Sequence, residues 1–167
     1  MRMGELAVTK AAGEVLTTIG LGSCVGLVLL DRDAGAAGLG HVVFPQSPAQ
    51  ATIDAPGRYA DTAVPALVAA LTGLGSILRS LEAVLVGGAR MFSFGRSPGF
   101  DIGTQNVGAL TQALAAARIP VLGTVTGGSV GRSVRVHGAG LIAVREAGVE
   151  RRVISPSRGR FEELAVL

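Results

Sequence analysis

The sequence predicts an α+β fold, a single domain with a mixed, largely antiparallel β-sheet structure and two main α-helices. The chain has 167 residues, which suits one domain, and we expect residues 1–167 to form it. Short apolar segments separated by turn residues occupy both ends of the chain, and helical spacing of apolar residues is confined to two segments between them. Hairpins at both ends with helices between them favour α+β over a wholly parallel sheet.

The first half of the chain predicts three strands and one helix. Residues 5–10 and 24–30 are the first two strands, and residues 31–35 form the turn after the second. Residues 38–44 predict the returning partner strand, and residues 58–73 predict the first helix. The apolar positions at helical spacing are Ala60, Val64, Leu67, Val68 and Leu71.

The second half predicts four strands and the second helix. Residues 82–86 form a buried strand that leads into Gly87 and Gly88. Residues 104–118 form a helix with Val107, Leu110, Leu114 and Ala117 on one face. Three further strands are predicted at residues 120–126, 132–137 and 141–146, and the glycine-rich stretches 127–129 and 138–140 link them.

The composition indicates a globular cytoplasmic protein. Apolar residues make up 49% of the chain and charged residues 16%, so the chain can bury enough apolar surface to fold. A single cysteine excludes an intrachain disulfide and fits a reducing compartment. The longest apolar run, residues 24–30, is too short to span a bilayer, and the first residues lack the core of a signal peptide. We therefore expect no membrane insertion.

The basic character of the chain does not indicate a nucleic-acid partner. The net charge is +3, and most of the 15 basic residues are scattered singly. The one cluster, near the C-terminus, lies beside acidic residues, and no aromatic platform is interleaved with basic side chains. We expect the arginines to form a solvated surface, which would suit an acidic protein partner.

Cys24, the only cysteine, is the first candidate for nucleophilic chemistry. Gly20 and Gly22 precede it, and glycine permits a positive φ and a close approach of the backbone to a ligand. A turn here would expose the amides of Ser23 and Cys24. Such amides would lower the pKa of the thiol and bind a developing oxyanion. A packed core cysteine after a plain turn is the alternative reading.

His41 is the second candidate, and its spacing from Cys24 leaves their contact open. A turn centred near Ala34 and Gly35 would pair His41 with residue 28, about 13 Å from Cys24 along the strand. A bulge at Gly38 or Gly40 would close this gap. On the residues alone, His41 reads as a hydrogen-bonded histidine at a strand end. The other histidine, His137, reads as a residue of a hairpin turn.

Six motifs, in the same order along the chain, resemble the CheD family of chemoreceptor glutamine deamidases. They are TIGLGSCV at residues 18–25, GLGH at 38–41, YADTAVP at 59–65, GGARMF at 87–92, IGTQNV at 102–107 and TGGSVGR at 126–132. Several separate motifs make this resemblance far more specific than Cys24 and His41 alone.

The resemblance implies a cysteine-hydrolase (CheD-like) fold and a defined set of site residues. Cys24 would be the nucleophile, His41 the general base and acid, and Thr18 the residue that orients the imidazole. The substrate would be glutamine side chains on the cytoplasmic helices of methyl-accepting chemotaxis receptors. The reaction would serve bacterial or archaeal chemotaxis adaptation and would need no metal or organic cofactor. A CheC-type phosphatase of the phosphorylated chemotaxis regulator would be a partner.

Two other functions stay open at this point. The chain could act mainly as a regulatory binding module for the CheC-type phosphatase, or as an unrelated cysteine hydrolase of a small molecule. An intact set of Cys24, His41 and Thr18 favours the deamidase, although Thr18 alone also reads as a strand-end threonine. Gln105 and the pair Ser129-Val130 depart from the family pattern. These departures bear on how the chain docks its partner and its substrate. The chain also carries the apolar residues Met91, Phe92, Phe94 and Phe100 in one loop. They either pack in the core or form a surface to which another protein docks.

We predict that the chain has no specific affinity for nucleic acid. Dispersed arginines supply only a loose electrostatic attraction, so retention on DNA should vanish as salt approaches physiological strength. Fluorescence anisotropy with duplexes of unrelated sequence across a salt series measures this. Tight, sequence-dependent binding at physiological salt would contradict the assignment.

Overall fold

The structure, a computed structural model, describes residues 1–49, 54–91, 101–138 and 140–154, with side chains described up to residue 149. These residues contain nine strands and two α-helices. The elements are β1 (Leu6–Thr9), β2 (Val15–Leu21), β3 (Val25–Asp31), β4 (Ala36–Val42), α1 (Ala60–Gly73), β5 (Leu81–Gly87), α2 (Ile102–Ala116), β6 (Val121–Thr126), β7 (Arg132–His137), β8 (Ile142–Glu146) and β9 (Val149–Ile154).

The strands form two sheets. The first has the order β1-β4-β3-β5-β6, and the second has the order β2-β7-β8-β9. Only the β5–β6 pair is parallel, because α2 provides the crossover between these two strands. Every other strand pair is antiparallel. The prediction of an α+β fold with mixed, largely antiparallel sheet structure and two main helices is confirmed.

The first sheet is buried on both faces, which explains its uninterrupted apolar strands. On one face, Leu27 and Leu29 of β3 pack in a cluster with Leu67 of α1 and Leu110 of α2. On the other face, Val28 of β3 packs in a second cluster with residues of the second sheet. The chain therefore forms three layers: helices, the first sheet and the second sheet. Strands covered on both sides need apolar residues at successive positions rather than at alternate ones.

Most predicted elements are present, with shifted ends. The first helix begins at Ala60 rather than at residue 58, because Pro56–Arg58 forms a separate 3₁₀ turn. The second helix begins at Ile102 rather than at residue 104, since the Asp101 carboxylate accepts a hydrogen bond from the Gly103 N–H and caps the helix. The apolar faces predicted for both helices lie in or against the core.

Two strands were not predicted. β2 contains Gly20 and an irregularity between Thr18 and Leu21, which interrupt the alternation of a regular strand. β9 is rich in charged residues and pairs only with β8, at the edge of the second sheet. The sequence pattern of each strand is therefore weak, and pairing with a neighbouring strand determines its structure.

The predicted register of the central hairpin was wrong by two residues. β3 and β4 pair without interruption, and Gly26, not residue 28, lies opposite His41. The loop begins after Asp31, whose carboxylate accepts a hydrogen bond from the Ala34 N–H and so fixes the turn one residue earlier than expected. No bulge at Gly38 or Gly40 is needed to bring His41 towards Cys24.

In the described part of the chain, neither helix combines the length and the apolar character needed to cross a membrane.

Leu67 offers a direct test of the packing between α1 and the first sheet. Its side chain is fully buried, and Gly38 of β4 lies so close that an added Cβ would be 3.0 Å from a Leu67 methyl group. We expect Leu67→Ala to lower the free energy of unfolding by about 2–5 kcal/mol in urea titrations. Ile77→Ala, at a residue with 48% exposure, should cost at most about 1 kcal/mol. Equal losses in the two variants would contradict this core.

Candidate active site

The candidate site lies where the two sheets meet. Thr18 belongs to β2 of the second sheet, and His41 belongs to β4 of the first. Cys24 lies in the short turn that carries the chain from β2 to β3, and so from one sheet to the other. The structure therefore gathers these three residues from two sheets and the turn that joins them.

Thr18 and His41 form a buried hydrogen-bonded pair. The Thr18 Oγ1 atom lies 2.7 Å from His41 Nδ1, and the two residues are 0% and 3% exposed. Thr18 Oγ1 also lies 3.2 Å from the carbonyl oxygen of Met1. This carbonyl can only accept a hydrogen bond, so it takes the single hydroxyl proton. Thr18 Oγ1 then accepts a hydrogen bond from Nδ1–H of His41.

This arrangement determines the tautomer of His41. With the proton on Nδ1, the Nε2 atom carries the basic lone pair of the neutral imidazole. Nε2 is buried and has no hydrogen-bond partner among the described residues. A buried ring nitrogen without a partner is uncommon and is available to accept a proton from a neighbouring group.

The register of β3 and β4 places Cys24 and His41 towards the same end of this hairpin. Gly26 is directly opposite His41, and Cys24 precedes Gly26 by two residues. Cys24 immediately precedes β3, and an extension of this ladder by one residue would make Cys24 the diagonal neighbour of His41. Such neighbours are about 7–8 Å apart at Cα, within reach of an imidazole. Cys24 is only partly buried.

Three hydrogen bonds hold the carbonyl groups of the Cys24 turn. The Gly22 carbonyl accepts from the Ala89 N–H at 2.7 Å, and the Cys24 carbonyl accepts from the Gly88 N–H at 2.9 Å. The Ser23 carbonyl accepts from Nδ2 of Asn106 at 2.9 Å. All three carbonyl groups of this turn are therefore bound to the end of β5 or to α2.

Two glycines allow this close contact. Gly87 has a φ of 113°, which L side chains rarely adopt, and a Cβ there would collide with the Cys24 carbonyl oxygen. A Cβ at Gly103 of α2 would lie 2.7 Å from the Gly88 carbonyl oxygen. The end of β5 is thus pressed between the Cys24 turn and the first turn of α2.

The bound carbonyls orient the amides of the turn. In a planar trans peptide, the N–H of one residue points opposite to the carbonyl of the residue before it. The N–H of Ser23 therefore points away from Ala89, and the N–H of Cys24 points away from Asn106. This orientation is compatible with the predicted role of these two amides as oxyanion donors.

Burial changes the acidity of both Cys24 and His41. Burial raises the pKa of the Cys24 thiol, and the backbone N–H of Cys24 opposes this only in part. The expectation that the turn lowers the thiol pKa is therefore wrong, because desolvation of the thiolate outweighs the amide. Burial also lowers the pKa of His41; positive charge at Met1 acts in the same direction, and Glu5 acts against it. Both shifts favour a neutral thiol beside a neutral imidazole.

Asn106 and Gly87 are parts of this site to which the sequence analysis assigned no role. Asn106 is 0% exposed, on the same buried stripe of α2 as Leu110 and Leu114. A polar residue at a core position of a helix is a signal that the sequence did contain. The contact of Gly87 with Cys24 joins residues far apart in the chain, and no local pattern reports it.

Other predicted residues lie around or away from the site. Met91 is 44% exposed and packs against Gly22, whereas Phe92, Phe94 and Phe100 lie outside the described residues. His137 ends β7, where its N–H donates to the Leu141 carbonyl and closes the turn to β8, as predicted. Within the described residues, no group of three or more His, Cys, Asp or Glu side chains is placed to share a metal ion.

Comparison with known proteins identifies the family. A family model described as CheD chemotactic sensory transduction matches residues 43–145. A chemoreceptor glutamine deamidase of Thermotoga maritima is 42% identical over 147 residues, which is 87% of this chain and 90% of that protein. A probable chemoreceptor glutamine deamidase of Clostridium botulinum is 37% identical over 133 residues, 79% of this chain and 82% of that protein. Since the matched range and the similarity to these relatives each span most of the chain, the chain belongs to the CheD family.

Proposed function

We propose that the chain is a chemoreceptor glutamine deamidase. It converts specific glutamine side chains on the cytoplasmic helices of methyl-accepting chemotaxis receptors to glutamate and releases ammonia. The observation that carries this proposal is the Thr18–His41 hydrogen bond, which leaves Nε2 of His41 without a partner among the described residues, at the end of the hairpin from which Cys24 extends. The names of the relatives support the substrate and the reaction. Residues 1–167 act as one domain in the cytoplasm, where these helices lie.

The first half of the reaction transfers the glutamine acyl group to Cys24. Nε2 of His41 accepts the thiol proton as the sulfur attacks the carboxamide carbon. The negative charge that develops on the carboxamide oxygen is stabilised by the N–H groups of Ser23 and Cys24. The imidazolium then gives its proton to the leaving nitrogen. The carbon–nitrogen bond breaks, ammonia departs, and a thioester remains on Cys24.

The second half releases glutamate with the same groups. His41 accepts a proton from a water molecule as the water oxygen attacks the thioester carbon. The carbon–sulfur bond breaks, the proton returns to the sulfur, and the product carboxylate ionises in water. Thr18 holds Nδ1 throughout, so that Nε2 faces the reacting atoms in both halves. These steps need no metal or organic cofactor.

The neutral pair defines the resting state of the enzyme. Burial raises the pKa of Cys24 and lowers the pKa of His41, so an ion pair between them is disfavoured before the substrate binds. The proton therefore moves during attack on the substrate. A thiol that is uncharged at rest is protected from unselective alkylation and oxidation.

The surroundings of Cys24 favour a protein substrate over a small molecule. Ile19, Phe44 and Met91 lie close in sequence to the site or pack on its turn, and they are 68%, 43% and 44% exposed. Exposed apolar residues around Cys24 suit a glutamine side chain that is presented on the surface of another protein.

A CheC-type phosphatase is the second proposed partner of this surface. The relevant observation is again the exposed apolar Ile19, Phe44 and Met91, which a protein partner could cover. Binding and catalysis coexist in this proposal, because docking uses the surface around Cys24 rather than the thiol. No nucleic acid is involved.

The pH dependence of Cys24 alkylation tests the neutral resting state. Only the thiolate reacts with iodoacetamide, and burial raises the thiol pKa, so labelling should be slow at pH 7. Its half-maximal rate should lie above about pH 8.5, the ordinary value for cysteine. Mass spectrometry of the labelled chain measures this without ambiguity, because the chain has one cysteine. A midpoint below that value would show a preformed thiolate and contradict the neutral pair.

Deamidation by variants of the three residues tests the proposed roles. With a receptor cytoplasmic fragment as substrate, Cys24→Ala should abolish conversion of glutamine to glutamate, because no other thiol exists. His41→Ala should lower kcat by about 10²–10⁴-fold, since it removes the base and the acid. Thr18→Ala should lower kcat less. Peptide mass spectrometry and ammonia release measure the reaction.

Two variants serve as matched controls for these substitutions. Thr18→Ser keeps the hydroxyl that holds Nδ1 and should retain most activity. His137→Ala removes the other histidine, at the end of β7, and should leave activity unchanged. Full activity in Cys24→Ala would refute the mechanism. Loss of folding in that variant, measured by circular dichroism, would instead support a purely structural role for Cys24.

A further inference from the structure

We infer that Asn106 is a positioning residue, whose side-chain amide fixes the Cys24 turn relative to the strand that carries His41. The inference rests on the proposed function and adds a residue to it. Asn106 lies on α2, and neither its carbonyl partners nor their geometry are apparent from the sequence motif alone.

The position of Asn106 in the helix is the first observation. The buried residues of α2 are Gly103, Asn106, Leu110 and Leu114, a spacing that forms one core-facing stripe. Asn106 is fully buried at a position where an apolar residue would pack at no polar cost. An amide at this position therefore calls for a specific set of hydrogen bonds.

Those hydrogen bonds reach both halves of the site. Nδ2 of Asn106 donates to the Ser23 carbonyl and to the Val43 carbonyl, each at 2.9 Å. Ser23 immediately precedes Cys24, and Val43 follows His41 by two residues. One amino group thus joins the backbone next to the thiol to the backbone next to the imidazole.

The two hydrogen bonds of Asn106, which form a bridge between the Ser23 and Val43 carbonyls, begin where the pairing of β3 and β4 ends. The last pair of this ladder at the site is Val25 opposite Val42. The next residues outward, Cys24 and Val43, are not paired with each other in this ladder; the Cys24 carbonyl accepts from the Gly88 N–H, and the Val43 N–H donates to the Arg58 carbonyl. Asn106 continues the connection beyond the ladder with a side chain, because its two protons satisfy a carbonyl on each side.

The bridge also orients a proposed oxyanion donor. Holding the Ser23 carbonyl fixes the plane of the Ser23–Cys24 peptide, and this plane sets the direction of the Cys24 N–H. The same N–H opposes the rise in the thiol pKa that burial causes. Asn106 therefore acts on catalysis through the Cys24 peptide, without touching the substrate.

The unpartnered side-chain oxygen of Asn106 indicates that its side-chain N–H groups are the part of the amide that matters. Oδ1 is buried and has no hydrogen-bond partner among the described residues. A buried acceptor without a partner is unfavourable. The side chain is therefore present for its two N–H groups, which a leucine or an alanine at this position would lack.

The test compares Asn106→Ala with the unmodified chain in two assays. We expect kcat for deamidation of a receptor cytoplasmic fragment to fall on the order of 10²-fold, with KM unchanged, because the reacting groups lose their alignment. We also expect the pH midpoint of iodoacetamide labelling to move down towards that of a free thiol. A loosened turn admits water to Cys24. Because burial is the larger influence on the thiol pKa, its loss outweighs the loss of the oriented Cys24 N–H, which acts in the opposite direction.

Two further variants separate positioning from stability. Leu110→Ala removes a core side chain one turn further along α2, and it should destabilise the fold while leaving kcat and the labelling profile unchanged in the folded protein. Asn106→Ser keeps one donor, and it should give a smaller loss of kcat than Asn106→Ala. If Asn106→Ala does not fold, the comparison of Asn106→Ser with Leu110→Ala carries the test.

The outcomes distinguish this inference from the proposed function. Unchanged kcat and labelling in both folded Asn106 variants, with an active unmodified chain, would overturn the inference and leave the deamidase proposal intact. The unmodified chain could show no deamidation while the Asn106 variants still shift the pH profile of Cys24 labelling. That result would support the positioning role of Asn106 and refute the proposed receptor substrate. Equal effects of Leu110→Ala and the Asn106 variants would show that only stability is involved and would overturn the inference.

Discussion

The hydrogen bond between Thr18 and His41 is the interaction on which the site depends. It crosses from the second sheet to the first, and it is buried, so water does not compete for either partner. Because Thr18 Oγ1 gives its proton to the Met1 carbonyl, it accepts from Nδ1–H and leaves the lone pair on Nε2. The packing of the two sheets thereby sets both the position and the tautomer of the proposed base.

Near this bond, Cys24 lies where regular secondary structure stops. Cys24 precedes β3 by one residue, and its turn is held by the backbone of Gly88 and Ala89 and by the side chain of Asn106. A nucleophile inside a strand would have its own amide committed to the ladder. A turn fixed through its carbonyls keeps its amides directed elsewhere, which is the arrangement that oxyanion stabilisation requires.

The sequence predicted the fold class, both helices and seven strands, because their apolar spacing follows directly from burial. The family resemblance also named Cys24, His41 and Thr18; the structure places Thr18 and His41 in hydrogen-bond contact, and the catalytic roles of the three residues stay a prediction. The sequence did not predict β2 or the register that places Gly26 opposite His41, since a bulge and one turn hydrogen bond decide these features. The direction of the Cys24 pKa shift was also wrong. Burial of a side chain depends on the packing of distant layers, and no local motif reports it.

The protonation of the His41 ring tests the central claim most directly. The chain has only two histidines, so long-range ¹H–¹⁵N correlation spectra of ¹⁵N-labelled protein, with His137→Gln for assignment, report each ring nitrogen separately. At neutral pH, we expect a neutral ring with the proton on Nδ1 and an unprotonated Nε2, and Thr18→Ala should mix the two tautomers. A proton on Nε2 in the unmodified chain, or a doubly protonated ring, would contradict it.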